Sequence, residues 1–176
     1  MTSGEAAQRR VLVVMRHAQA AAAASTDSER PLTDTGVARA GEAGAWLAGL
    51  GVVPDVALVS AAVRTQQTWQ HVAGAAGWDV EPTVDRGLYA ADTDSALDLV
   101  RVVPDDTGTV LLLGHNPTVG VLGQLLDDGS GDGDAETLLA SGMPPGTAAV
   151  FDVPVPWVEV AEATLPLRAA FVRHGG

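Results

Sequence analysis

The sequence predicts a three-layer α/β domain with a mainly parallel central sheet flanked by helices. Two observations carry that expectation. The stretches 11–15, 55–59 and 109–114 are short apolar runs that lack the alternation of a half-exposed strand, so they read as strands buried on both faces. Between them lie segments with apolar residues at helical spacing. A strand–helix–strand order returns each strand parallel to the one before it.

The chain has 176 residues, of which 47% are hydrophobic, enough to bury one core. Residues 1–9 are expected to form a flexible tail and 10–174 a single domain. No apolar run approaches the ~20 residues of a membrane span. The first ten residues are polar and do not resemble a secretory signal. There is no cysteine, which excludes disulfides and thiolate chemistry. These features lead us to expect a cytoplasmic protein that does not act at a membrane. The net charge of -12 would repel a polyanion, so nucleic acid is not an expected partner. All ten fixed cationic side chains are arginines, and there is no lysine.

The first strand, at about 10–16, ends in Arg16 and His17. The stretch 19–30 is alanine-rich and then polar, and is expected to be a loop with a short helical turn over the site. Thr33 is a good N-cap for a helix carrying Val37, Ala40, Gly44 and Leu47 inward, with Gly51 ending it. The second strand stops at Ser60, and a helix follows with Val63, Thr68 or Trp69, Val72 and Ala76 inward. Residues 78–84 suit a short strand and 95–102 a helix. After the third strand come His115, Asn116 and Pro117. Asn116 reads as an N-cap and Pro117 as the first helical residue, before a face of Val119, Leu122, Leu125 and Leu126. The acidic, glycine-rich segment 127–134 is expected to be a mobile loop. Residues 147–153, 157–164 and 167–172 read as strands, with Pro154 and Pro156 at the turn between the first two.

Three strands therefore end in polar residues: Arg16-His17, Ser60 with Arg64 a turn later, and His115-Asn116. If the strands are parallel, these ends share one edge of the sheet, where open α/β sheets bind ligands. An arginine offers bidentate recognition of a phosphate. A histidine offers a nucleophile or a base near neutral pH. Helix starts beside Arg64 and His115 add partial positive charge. Such a pocket suits a tetrahedral oxyanion, above all a phosphoryl group.

Four ordered motifs carry a family resemblance: Arg16-His17-Ala18 after an apolar strand, Leu32-Thr33-x-x-Gly36, Ser60-x-x-x-Arg64-x-x-Gln67-Thr68, and Gly114-His115-Asn116-Pro117. Together they resemble the histidine phosphatase superfamily, with its phosphoglycerate-mutase-like fold, over about residues 10–172. The short length and Asp27-x-x-Arg30-Pro31-Leu32-Thr33 look most like the SixA-type phosphohistidine phosphatases. The resemblance implies a metal-independent hydrolase without cofactor. In it His17 takes the phosphoryl group as a covalent phosphohistidine, and Arg16, Arg64 and His115 hold its oxygens. Arg30 and Asn116 are candidates for the pocket or its rim. The implied substrate is a phosphohistidine-bearing protein and the product is phosphate. A small-molecule phosphomonoesterase with the same site, or a catalytically weak module that binds phospho groups, is the alternative.

Two departures from the family pattern matter. Ala18 replaces the commonest glycine, which narrows the backbone angles there. At the position aligned with the acidic proton donor of larger members stands Ala90. An alkoxide leaving group needs a proton, and general-acid help is typically worth ~100–10,000-fold. A phosphohistidine whose distal nitrogen is protonated expels a neutral imidazole instead. The missing acid thus points to P–N rather than P–O cleavage, unless Asp27, Glu29, Asp85, Asp92 or Asp94 reaches in. No insertion separates Leu88 from Asp94, which suits an open site for a protein substrate.

The remaining polar and aromatic residues suggest simpler roles. Ser60 and Thr33 suit helix caps, and Trp46, Trp69, Trp78 and Trp157 suit core packing. His71 and His174 have no partner motif. Counting twelve from Asp127 or Asp128 reaches leucine, not the glutamate of an EF-hand, so 127–134 is expected to be solvated and free of metal.

Overall fold

A computed structural model describes residues 8–173. The expected 1–9 tail lies outside that range except for Gln8 and Arg9, and His174 also falls outside it. Strands β1 (Arg10–Arg16), β2 (Val56–Ser60), β3 (Thr83–Asp85), β4 (Thr109–Gly114), β5 (Ala148–Val153) and β6 (Leu167–Phe171) form one six-stranded sheet. Its order is β3-β2-β4-β1-β5-β6, and β5 alone runs against the others. Helices α1 (Asp34–Gly49) and α2 (Val63–Ala76) cover one face. Helices α3 (Thr93–Arg101), α4 (Thr118–Leu126) and α5 (Gly133–Ala140) cover the other.

The apolar runs follow from this layering. Leu12 and Val14 of β1 join the core under α3, α4 and α5. Val11, Val13 and Met15 join the core under α1 and α2. Both faces are buried, so both sets of positions must be apolar. Among the described residues no helix is long and apolar enough to cross a membrane.

Glycines set the closeness of α1. A Cβ on Gly44 would lie 2.2 Å from the carbonyl oxygen of Val72 in α2. One on Gly36 would lie 2.1 Å from the carbonyl oxygen of Gln19. Thr33 caps α1 as expected, its hydroxyl accepting from the Gly36 amide at 3.0 Å.

Four expectations need correction. Residues 157–164 form no strand; a 3-10 turn at Trp157–Glu159 is followed by a loop. Pro154 and Pro156 lack ladder donors. The loop's amides bond elsewhere, Ala163 to the Leu125 carbonyl at 2.8 Å and Leu165 to that of Leu126 at 3.0 Å. On the side away from β1, β5 therefore pairs with β6. Of the short strand expected over 78–84, only β3 forms, centred nearer its end. The acidic segment runs straight into α5, capped by Asp132, whose side chain accepts from Ala135. Ahead of α5, the Asp132 amide bonds the Leu167 carbonyl at 2.8 Å. Finally, α4 begins at Thr118, with Pro117 in the capping position after a cis Asn116–Pro117 peptide. Asn116 is thus not the N-cap, although its side chain still accepts from the Gly120 amide at 3.1 Å.

The glycine contacts set opposite expectations for two helical sites. Gly44→Ala should lower stability by about 1–3 kcal/mol, because a backbone carbonyl must move. Gly74→Ala, exposed within α2 with nothing inside 4 Å of its would-be Cβ, should raise stability by about 0.5–1 kcal/mol. Denaturant unfolding of both variants checks this, and a Gly44→Ala protein as stable as the parent would contradict the packing.

Candidate active site

Parallel pairing brings the expected strand ends together. Arg16 of β1 lies opposite Gly114 of β4, and Val59 of β2 lies opposite Leu113. His17 and His115 follow directly, with ring centroids 5.3 Å apart. His17 and Arg64 are buried, at 7% and 5% exposure. Arg16 and His115 are half-buried.

Hydrogen bonds hold the first motif from three sides. The His17 amide donates to the Gly114 carbonyl at 3.1 Å, and the Gly146 amide donates to the His17 carbonyl at 2.8 Å. The Ala18 amide donates to the Thr68 hydroxyl at 3.0 Å, which in turn donates to the Arg64 carbonyl at 2.7 Å. Gln67 accepts from the Leu32 amide at 2.8 Å. The Gln67-Thr68 pair therefore ties α2 to both earlier motifs, and Thr68 does more than fill the core. Gly146 has φ of 83°, a conformation glycine adopts without strain.

His17 Nδ1 lies 2.7 Å from the Ala18 carbonyl oxygen. A carbonyl only accepts, so Nδ1 carries the proton and Nε2 keeps its lone pair. Burial pushes this imidazole from 6.5 down to about 3; the Ala18 carbonyl opposes the shift, and His115, Arg16 and Arg64 add to it. Burial likewise lowers His115 to about 4, helped by Arg64 and opposed by Asp27. Burial and then Arg64 lower Arg16. Both imidazoles are therefore neutral at pH 7.

His115 Nε2 lies 2.7 Å from the Ser60 hydroxyl. Ser60 is thus a partner of His115, a role its reading as a cap did not foresee. His115 Nδ1, Arg16 Nε and Arg64 Nε are buried without a partner among the described residues. Three buried nitrogens from three motifs suit an oxyanion that accepts from several donors.

The rim candidates have other partners. Asn116 is exposed, and its amide donates to the Met143 carbonyl at 2.9 Å. Arg16 Nη1 donates to the same oxygen at 3.1 Å. Asn116 therefore borders Arg16 through a shared acceptor. Arg30 donates to Asp27 at 2.9 Å and to the Ala21 carbonyl at 3.0 Å, which places it on the loop before α1.

Of the five acids, Asp27 alone meets the cluster. It accepts from Arg64 and Tyr89, as well as from Arg30. Glu29 bonds Thr26, Asp85 accepts from the Leu88 amide, and Asp92 caps α3. Tyr89, which no sequence motif marks, also stands at the site. Its ring stands edge-on to His115 at 5.5 Å, and Arg64 lies 5.8 Å from its centroid. It is the chain's one tyrosine and belongs to none of the four motifs. The carbonyl of Met143 could not have been found from side-chain identities.

The chain as a whole has relatives of known family. Residues 12–93 match the model for the histidine phosphatase superfamily (branch 1). The phosphohistidine phosphatase SixA of Escherichia coli (strain K12) is 32% identical over 117 residues, covering 62% of this chain and 69% of that protein. The chain belongs to the histidine phosphatase superfamily. An uncharacterized protein of Mycobacterium tuberculosis (strain ATCC 25618 / H37Rv) is 32% identical over 148 residues, 83% of this chain and 91% of its own length. A solved structure of a Nakamurella multipartitia protein that carries the phosphohistidine phosphatase SixA name superposes with a TM-score of 0.80 at 36% identity. That match covers 93% of this chain and 96% of the other. Its relatives identify this superfamily member as SixA-like, with the mixed sheet and flanking helices of the phosphoglycerate-mutase-like fold.

The lowered imidazoles fix a sign for pH dependence. Between pH 6.5 and about 4 the unfolded chain binds protons on both histidines while the folded chain does not. Stability must fall as pH falls through that window. His17→Asn and His115→Asn should each remove about one proton from the uptake on unfolding. Unfolding free energies at pH 7 and pH 5 measure this; variants that keep the parent's full pH slope would show that the buried histidines are not its source.

Proposed function

We propose that this SixA-like phosphatase is a phosphohistidine phosphatase. In this reading it acts in the cytoplasm on a phosphohistidine-bearing protein and uses His17 as the nucleophile without a metal. The observation that supports this most is the bond from His17 Nδ1–H to the Ala18 carbonyl. It commits one nitrogen and leaves Nε2 with a lone pair at pH 7.

The chemistry follows in two steps. The Nε2 lone pair attacks phosphorus, and the P–N bond of the substrate breaks with its electron pair going to the leaving imidazole. With its distal nitrogen protonated, that imidazole departs neutral. His17, now phosphorylated on Nε2, keeps its Nδ1 proton on the Ala18 carbonyl. Arg16, Arg64 and His115 Nδ1 would donate to the phosphoryl oxygens and offset their charge. Water then attacks phosphorus, the P–Nε2 bond breaks with its electron pair returning to Nε2, and dihydrogen phosphate leaves carrying both of the water's protons.

The state of Asp27 supports P–N over P–O cleavage. Its bond from Tyr89, together with Arg30 and Arg64, holds its carboxyl down to about 2. It is ionised at neutral pH and has no proton to give an alkoxide. Asp27 lowers the Tyr89 hydroxyl's acidity in turn, making Tyr89 a poorer acid. The mouth is open: the Asp27 side chain is 55% exposed and Tyr89 37% exposed, as docking of a protein-borne phosphohistidine requires.

A rate comparison tests the reading. A phosphohistidine-bearing protein domain should be turned over at least ~100-fold faster, by kcat/KM, than an unactivated alkyl phosphate. His17→Ala should abolish both activities. Equal rates on the two substrates would favour a phosphomonoesterase, and phosphate or vanadate binding without any turnover would favour a binding module.

A further inference from the structure

The loop before α1 reaches into the cluster through one residue. Arg64 Nη1 donates to the Asp27 backbone carbonyl at 2.9 Å, and Arg64 Nη2 donates to its carboxylate at 3.2 Å. Both terminal nitrogens of a buried guanidinium thus engage a single residue from one end. What remains is the side edge of the fork, Nε with one Nη–H, and Nε has no partner among the described residues. A guanidinium offers five donors in a rigid plane, so fixing one edge fixes the direction of the other.

Asp27 is itself held. Arg30 Nε donates to its second carboxylate oxygen at 2.9 Å, and Arg30 Nη1 anchors to the Ala21 carbonyl at 3.0 Å. The Tyr89 hydroxyl donates to the oxygen that faces Arg64. Three segments meet on this carboxylate: the loop before α1, helix α2, and the 3-10 turn at Gly87–Tyr89.

We propose that Asp27 is a positioning residue for Arg64: by holding the guanidinium end-on, it turns the Nε edge towards the phosphoryl oxygens. This rests on reading the cluster as a phosphoryl-transfer site. It assigns Asp27 neither a proton-transfer role nor contact with substrate. Arg30 and Tyr89 serve by fixing the carboxylate. The Asp27-x-x-Arg30 spacing is then a local device, an acid and a base three residues apart that brace each other.

The test combines Asp27→Ala, Asp27→Asn, Arg64→Ala and the double variant Asp27→Ala/Arg64→Ala. Calorimetry reads orthovanadate binding, which needs no turnover and so stands apart from the identity of the substrate. Steady-state kinetics with an activated aryl phosphate and with a phosphohistidine-bearing domain read kcat and KM. Asp27→Ala should weaken vanadate binding about 10- to 100-fold, the scale of a lost charged hydrogen bond. It should lower kcat/KM alike for both substrates, mainly through KM. Asp27→Asn, which keeps an oxygen acceptor, should recover most of the binding. The double variant should bind no more weakly than Arg64→Ala, since Asp27 acts through Arg64. Three results would overturn the proposal. One is vanadate binding by Asp27→Ala as tight as the parent's or tighter. Another is additive losses in the double variant. The third is Asp27→Asn as impaired as Asp27→Ala, with loss confined to the poorer leaving group, which would mark a proton donor.

Discussion

The parallel register of β1 with β4 is the constraint on which the site depends. It sets Arg16 opposite Gly114, so the residues that follow each strand, His17 and His115, come out side by side. A slip of one residue would turn every side chain of β1 to the other face. Here both faces are buried in apolar cores, which penalise such a slip on each side. The packing that stabilises the sheet therefore also sets the spacing of the two imidazoles.

The second feature is how positive charge is kept in a chain of net charge -12. Two arginines and two imidazoles share one sheet edge. The cost is reduced because both imidazoles are neutral, with burial the largest cause. Asp27 offsets Arg64 without occupying its Nε. The permanent charge that remains belongs to the arginines, which cannot be lost by titration at working pH. An imidazole with its Nδ1 proton on a carbonyl keeps the Nε2 lone pair free. The proposed chemistry would thus rest on desolvation and on backbone hydrogen bonds as much as on charge.

Much of this is legible in the amino-acid sequence. Continuous apolar runs mark strands buried on both faces, and 11–15 and 109–114 do so without ambiguity. The motifs after them depend on residue types that only certain chemistry needs. What could not be read has physical causes. Helix α5 buries only Ala135 and Leu139, too few to show a period, and its cap lies in a segment dominated by glycine and aspartate. Residues 157–164 have strand-like composition, yet the Ala163 amide bonds the Leu125 carbonyl at the end of α4, which no local pattern reveals. Asn116 and Pro117 match a helix start, but α4 begins only at Thr118 and the Asn116 side-chain amide bonds the Met143 carbonyl. Thr68 and Ser60 have roles defined by partners far away in the chain. Met143 contributes a backbone carbonyl, for which side-chain identity carries no signal.

One measurement bears most directly on the account: rapid-quench capture of the phosphoryl-enzyme during turnover, followed by mass-spectrometric mapping under alkaline conditions that preserve phosphoramidates. The account predicts one phosphoryl group on His17, lost on acid treatment and absent from His17→Ala. A phosphoryl group on another residue, or a full pre-steady-state burst of product with no phosphorylated His17, would contradict it.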